Sequence, residues 1–135
     1  MKKRAVAFLL GTVAALSVAG PAVAMDKVVK IGVLNDQSGL YADLAGTGSV
    51  LAAQMAVEDS GLTKKGWKIE IVSGDHQNKP DIGVNIARQW IDVDKVDVLA
   101  DVPTSSVALA INNLAKEKNV VLLDSGAGTS DLTNK

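Results

Sequence analysis

Four short apolar segments, each separated from the next by a stretch with helical spacing, constrain this chain more than any other feature. Val28 to Leu34 (VVKIGVL) is rich in β-branched residues and is bounded by the turn-prone Asn35-Asp36-Gln37-Ser38-Gly39, the pattern of a buried strand. Trp67 to Ser73 alternates apolar and polar residues as a second strand. Val96 to Ala100 and Val120 to Leu123 read as the third and fourth. From about Tyr41 to Asp59 the chain is alanine-rich, and the spacing of Val50, Leu51 and Met55 with Ala52 and Ala56 predicts one helical face toward the core. Pro80 suits a first helical turn, and Ile82, Ile86, Trp90 and Val93 follow on one side of a second helix. Thr104, Ser105 and Ser106 are N-cap candidates for a third, with Val107, Ile111 and Leu114 facing inward and Lys116 and Lys118 near its end at Asn119.

Strand and helix in strict alternation predict an α/β fold, a doubly wound and mostly parallel sheet with helices on both faces. In such sheets ligands collect at the carboxyl ends of the strands, where loops meet helix N-termini. Four loops occupy those positions: Asn35 to Ala42, Gly74 to Lys79, Asp101 to Ser106, and Asp124 to Ser130.

The loop Asp101-Val102-Pro103-Thr104-Ser105-Ser106 places hydroxyls and backbone amides at a helix start, a combination that favours an anion. Ordinary helix capping explains the same residues. Ser125-Gly126-Ala127-Gly128-Thr129-Ser130 adds small residues that permit close backbone approach, with further hydroxyls, at the next strand end. Tyr41 stands just past the first loop, where its ring could close over a ligand or simply pack on the first helix. Trp67 and Trp90 fall on strand and helix patterns, the ordinary setting of core aromatics.

Other motifs point nowhere. Gly46-Thr47-Gly48 has Leu51 at the third glycine position of a dinucleotide fingerprint and reads as helix packing, and no phosphate-loop motif is present. A Ser-His-Asp mechanism would have to use His76, the single histidine, with Asp75 or Asp101 and Ser105 or Ser125, yet none sits in a nucleophile elbow. A polar strand-end loop accounts for His76 more simply. Asp92, Asp94 and Asp97 read as solvated turn residues and lack a recognised metal-ligand spacing. The sequence therefore predicts no catalytic residue, no metal and no cofactor.

The first 24 residues carry an address. Lys2, Lys3 and Arg4 precede an uncharged, mostly apolar stretch, and Ala22-Val23-Ala24 has the small-x-small form that signal peptidase accepts, which places cleavage between Ala24 and Met25. Gly11, Gly20 and Pro21 interrupt a stretch too short to span a bilayer, so the exported product would not be membrane-spanning after cleavage. With no twin-arginine pair, the leader fits the bacterial Sec pathway and the periplasm. Cysteine is absent, which removes disulfides and thiol chemistry. The net charge of −1 becomes about −4 without the three basic leader residues, and no basic run follows, so nothing suits nucleic acid.

The blocks Val28–Leu34, Gln37-Ser38-Gly39-Leu40-Tyr41-Ala42, Gly46 with the helix through Asp59, Asp75-His76-Gln77-Asn78-Lys79-Pro80, Pro103-Thr104-Ser105-Ser106-Val107-Ala108 and Ser125 to Thr133 together carry a resemblance. In this order and spacing they resemble the N-terminal lobe of periplasmic substrate-binding proteins of branched-chain amino acid type ABC transporters. The resemblance implies residues 1–24 as signal peptide and 25–135 as an N-terminal lobe, with the second lobe absent. It further implies a small carboxylate-bearing solute, an amino acid or an aromatic or other organic acid, held between two lobes and delivered to an inner-membrane ABC permease. Carried over by position, the ligand contacts fall on Ser105 and Ser106, on Ala127, Gly128 and Thr129, and on Tyr41 at the side of the cleft. The loop Ser125 to Thr129 aligns in two registers one residue apart. A ligand-sensing receptor domain of the same fold and a small exported hydrolase are the alternative readings.

Overall fold

Parallel strands cannot be joined by a tight turn, so each connection between them must carry a crossover long enough for a helix. The computed structural model describes residues 27–134, and its elements obey that rule. They run β1 (Val28–Asn35), α1 (Gly46–Asp59), a 3-10 turn (Thr63–Lys65), β2 (Lys68–Asp75), α2 (Pro80–Gln89), a π-helical turn (Trp90–Asp94), β3 (Val98–Ala100), α3 (Ser105–Lys118), β4 (Val121–Leu123) and a 3-10 turn (Ser130–Leu132). The four strands form one sheet in the order β2-β1-β3-β4, parallel throughout. The leader and its cleavage position at Ala24 and Met25 lie outside the described residues. Among the described residues no helix is long and apolar enough to cross a membrane.

The chain steps from β1 to β2 in one direction and from β2 across β1 to β3 and β4 in the other. For right-handed crossovers, opposite steps place their helices on opposite faces of the sheet. Accordingly α1 rests on β1 and β2, while α2 and α3 pack against each other. The reversal between β1 and β3 is a topological switch point, where the loops at the carboxyl ends of the strands part and leave a crevice.

The α2/α3 side holds the core. Leu34 and Leu99 from the sheet meet Ala87, Trp90, Val102, Val107, Ala108, Ile111 and Leu114, with Val72 and Leu122 at its margin. Each such side chain stabilises the fold by about 1.5–3 kcal/mol when it leaves water. The Trp90 ring fits only because the strands beneath it lack side chains at two points. A Cβ on Gly32 would lie 2.5 Å from the ring and one on Gly74 2.9 Å. The expected inward set Val107, Ile111 and Leu114 is buried, and Asn119 ends α3 in the left-handed conformation with φ +54°.

Three local expectations are corrected. Helix α1 begins at Gly46, because Tyr41–Ala45 is taken up in turns, and it presents Gly46, Val50, Ala53 and Val57 to the sheet. Leu51 (57% exposed) and Met55 (53%) point away from it. The helix is apolar or small on nearly every side, so the spacing alone offered two stripes of similar quality. At the end of α2 the π turn adds a residue to the helical repeat and changes its phase. Val93 therefore swings outward, 61% exposed, while the amide of Val96 bonds the Trp90 carbonyl at 2.9 Å and Val96 enters the core ahead of β3. Trp67 precedes β2 and is half-buried, leaving Trp90 as the core tryptophan. The carboxylates Asp92 and Asp97 are exposed as expected but not idle. Asp92 pairs with Lys118 at 2.8 Å, and Asp97 accepts the Lys30 amide at 2.8 Å.

Gly32→Ala is expected to destabilise the protein by about 1–3 kcal/mol, the usual penalty of an overpacked core, because a rigid indole must move. Equilibrium denaturation of the two forms measures the loss.

Candidate functional site

Strand β1 carries polar residues into the interior at its carboxyl end. Asn35 and Asp36 are both fully buried, and such groups need hydrogen bonds to be tolerated. The Asp36 carboxylate accepts the amide of Gly39 at 2.7 Å through Oδ1 and that of Tyr41 at 2.9 Å through Oδ2, folding the first loop around itself. Gly39 is required there, since a Cβ would come within 2.6 Å of Oδ1. Asp75, at the end of β2, accepts the amides of Gln37 (2.9 Å) and Gln77 (2.8 Å) and the Ser38 hydroxyl (2.5 Å). Burial acts against its charge, but the Ser38 hydroxyl and the two amides prevail and hold the carboxyl below its ordinary range. Two carboxylates thus fasten the loop that carries Tyr41 to the rim.

Strand β3 ends in Asp101, whose backbone is held at φ +55°. Its Oδ1 accepts the Ser125 hydroxyl at 2.7 Å and its Oδ2 the Asn35 amide at 3.3 Å, so one side chain links the ends of β1 and β3 to the loop after β4. Asn35 also donates to the Gly46 carbonyl at 2.7 Å and ties the start of α1 to the same point. Thr104 takes the N-cap position of α3 in an extended conformation, but no side chain caps the helix. The Thr104 Oγ1 is buried and finds no hydrogen-bond partner among the described residues. The capping explanation of Thr104, Ser105 and Ser106 is therefore set aside for their hydroxyls. The loop after β4 is shaped by Asp124, whose Oδ1 accepts the amides of Gly126 (3.0 Å) and Ala127 (2.9 Å).

Above these strand ends lies a cleft of about 800 Å³. Tyr41, Ser105, Ser106 and Gly128 line it together, joined by Asp101, Thr104, Ser125, Gly126 and Asn78. Ala127 and Thr129 do not. They line a separate hollow of about 310 Å³ with Asn112 and Leu132. Ala127 packs against the core there, and the Thr129 hydroxyl accepts the Asp131 amide at 3.3 Å. The deeper polar residues Asn35 and Asp36 escaped the sequence reading because a strand-end Asn-Asp looks like turn punctuation, although Gly39 three positions on is a trace of the loop Asp36 builds.

His76 is fully buried and is not among the residues that line the cleft. Its Nδ1 accepts the Asn78 amide at 3.0 Å, which assigns the proton of the neutral ring to Nε2, a donor without a partner among the described residues. Neither Ser105 nor Ser125 is hydrogen-bonded to it, and the Ser125 hydroxyl is engaged by Asp101. Burial pushes the His76 pKa below 6.5, against the raising influence of Asp36, Asp75 and Asp101. The unfolded chain therefore binds this proton more readily than the folded one, so the stabilising contribution is complete above pH 6.5 and is lost as pH falls toward the folded value. As His76 is the single histidine of the chain, the thermal midpoint is expected to drop on acidification below pH 6.5, with a shallower slope in His76→Gln. Calorimetric melts at a series of pH values compare the two slopes.

The chain is similar to known proteins in sequence and in fold. Residues 28–135 match the family described as periplasmic binding protein. Among curated proteins no match to the sequence is found. A periplasmic binding protein from Burkholderia mallei is 46% identical over 80% of this chain, with a TM-score of 0.75. A branched chain amino acid ABC transporter periplasmic ligand-binding protein from Burkholderia xenovorans is 48% identical over 75%, with a TM-score of 0.71. A solute binding protein of an ABC transporter from Rhodopseudomonas palustris, in complex with 3,4-dihydroxy benzoic acid, is 31% identical over 79%, with a TM-score of 0.72. The chain spans 29%, 27% and 29% of the lengths of these three. By the match of its family over all of the sheet and the cleft, the chain belongs to the periplasmic binding protein family.

Proposed function

We propose that the chain forms one wall of a cleft that captures a small carboxylate-bearing solute for delivery to an inner-membrane ABC permease. The observation that carries this reading is the meeting, in one cleft, of the start of α3, which no side chain caps, with Ser105 and Ser106 and the small residues of the loop after β4. A helix N-terminus offers amide donors and a favourable dipole to an anion. Ser105 and Ser106 supply hydroxyls and amides to the carboxylate, Gly128 leaves the opposite side open, and Tyr41 covers the edge. Ala127 and Thr129 act on the far side of their loop by setting its backbone. The likeness to a protein named for branched-chain amino acids and to one holding a dihydroxybenzoate supports an amino acid or an aromatic acid as the solute.

Closure of a second lobe over this wall would complete the site, the solute stabilising the closed population. Residues 1–24 act as the signal peptide, cleaved between Ala24 and Met25, and place the work in the periplasm.

A thermal-shift screen of the full-length gene product against amino acids, aromatic acids and dicarboxylates tests the reading. A bound solute at about 100 times its Kd raises stability by about 2.7 kcal/mol, an easily measured shift. No shift with any carboxylate would end the proposal. A Cβ at Gly128 meets nothing within 4 Å, so Gly128→Val is expected to leave the unliganded melt within about 0.5 kcal/mol while filling part of the cleft. Its affinity for the solute should fall about tenfold or more by titration calorimetry, the scale of one misplaced branched side chain in a binding pocket.

A further inference from the structure

Asp101 is the one residue of the cleft wall that an anion site leaves unexplained. Among the described residues it is the only formally charged side chain that lines the cleft, and its charge is negative. It shares that wall with Ser105 and Ser106, so a simple carboxylate held by them would sit beside a like charge at a cost in binding. Two further observations make this carboxylate hard to dismiss as scaffolding. Its hydrogen bonds to Ser125 and Asn35 use two acceptor positions, whereas an ionised carboxylate offers about four. Its backbone stands at φ +55°, a conformation that glycine takes at least cost and that aspartate and asparagine tolerate better than other side chains, so few charged residues suit this position.

We propose that Asp101 selects among carboxylates. It admits a solute that also carries a hydrogen-bond donor, a hydroxyl or an ammonium group, placed to donate to its free lone pairs. A plain monocarboxylate leaves Asp101 unanswered and a dicarboxylate repels it. The inference rests on the cleft reading above and adds to it the group that decides which carboxylate fits. A site built around a polar partner discriminates strongly against analogues that lack it, because its own polar atom is then desolvated for nothing.

Titration calorimetry on the full-length gene product with matched probes tests this: 4-hydroxybenzoate against benzoate, leucine against 4-methylpentanoate, and terephthalate as a dianion. In the unmodified protein the donor-bearing member of at least one pair is expected to bind about tenfold or more tightly than its partner, and the pair concerned identifies the donor as hydroxyl or ammonium. Asp101→Asn keeps the size of the side chain and tolerates the same backbone conformation. It should reduce that ratio to about threefold or less and let terephthalate bind more tightly. An unchanged ratio in Asp101→Asn, or an equal loss for both members of the pair, would overturn the inference and leave Asp101 as a tie between loops. Failure of every carboxylate to bind the unmodified protein would instead remove the cleft reading, and this inference with it. Should Asp101→Asn not fold, Ser125→Ala keeps the charge and frees Oδ1. It is expected to raise the ratio, where a purely structural role predicts equal loss for both members and an unchanged ratio.

Discussion

Strand β1 is hydrogen-bonded on both flanks, to β2 along its whole length and to β3 through Ile31–Val33, and this double pairing is the constraint on which the rest depends. A strand held on both sides has no solvent edge, so whatever stands at its end is carried inside. Asn35 and Asp36 are at that end and are fully buried. Buried polar groups demand partners, and the partners available are the loops themselves. Asp36 gathers the amides of Gly39 and Tyr41, and Asn35 reaches the start of α1 and Asp101. The cleft floor is therefore a consequence of sheet topology as much as of any residue that faces the cleft.

The same constraint explains the unequal faces of the sheet. Trp90 needs a flat surface, and Gly32 and Gly74, on adjacent strands, provide it. Packing of α2 and α3 over that surface sets the height at which α3 begins, and with it the position of Thr104, Ser105 and Ser106 at the cleft. On the other face α1 lies on β1 and β2 through small residues, while Val121 and Leu123 of β4 stay exposed. Stability is thus concentrated beneath the cleft.

Much of this was legible in the sequence, for identifiable reasons. The four strands and the inward set of α3 follow from period-two and period-3.6 patterns that survive any tertiary context when they are strong. The register of α1 did not, because a helix that is apolar on nearly every side carries no phase information, and only contact with the sheet chose Val50, Ala53 and Val57 over Leu51 and Met55. Val93 misled for another reason. The π turn after Gln89 is a local change of repeat that no spacing argument anticipates. At the site, Tyr41, Ser105, Ser106 and Gly128 meet in one cleft although they lie on three loops, whereas Ala127 and Thr129 flank Gly128 and face away. Within a loop, adjacent residues share sequence position but not direction.

The sequence by itself determined the class of fold and the end of the sheet at which a ligand could bind. Alternating strands and helices admit few topologies, and backbone amides at helix starts are available wherever those topologies place them. Only the tertiary structure decided the chemistry of that end. It left the Thr104 hydroxyl without a partner among the described residues, buried His76 away from the cleft, and set Asp101 on the wall with lone pairs to spare. Those outcomes depend on which groups from distant strands satisfy one another, and hydrogen-bond accounting across a sheet closes only when the strands are side by side.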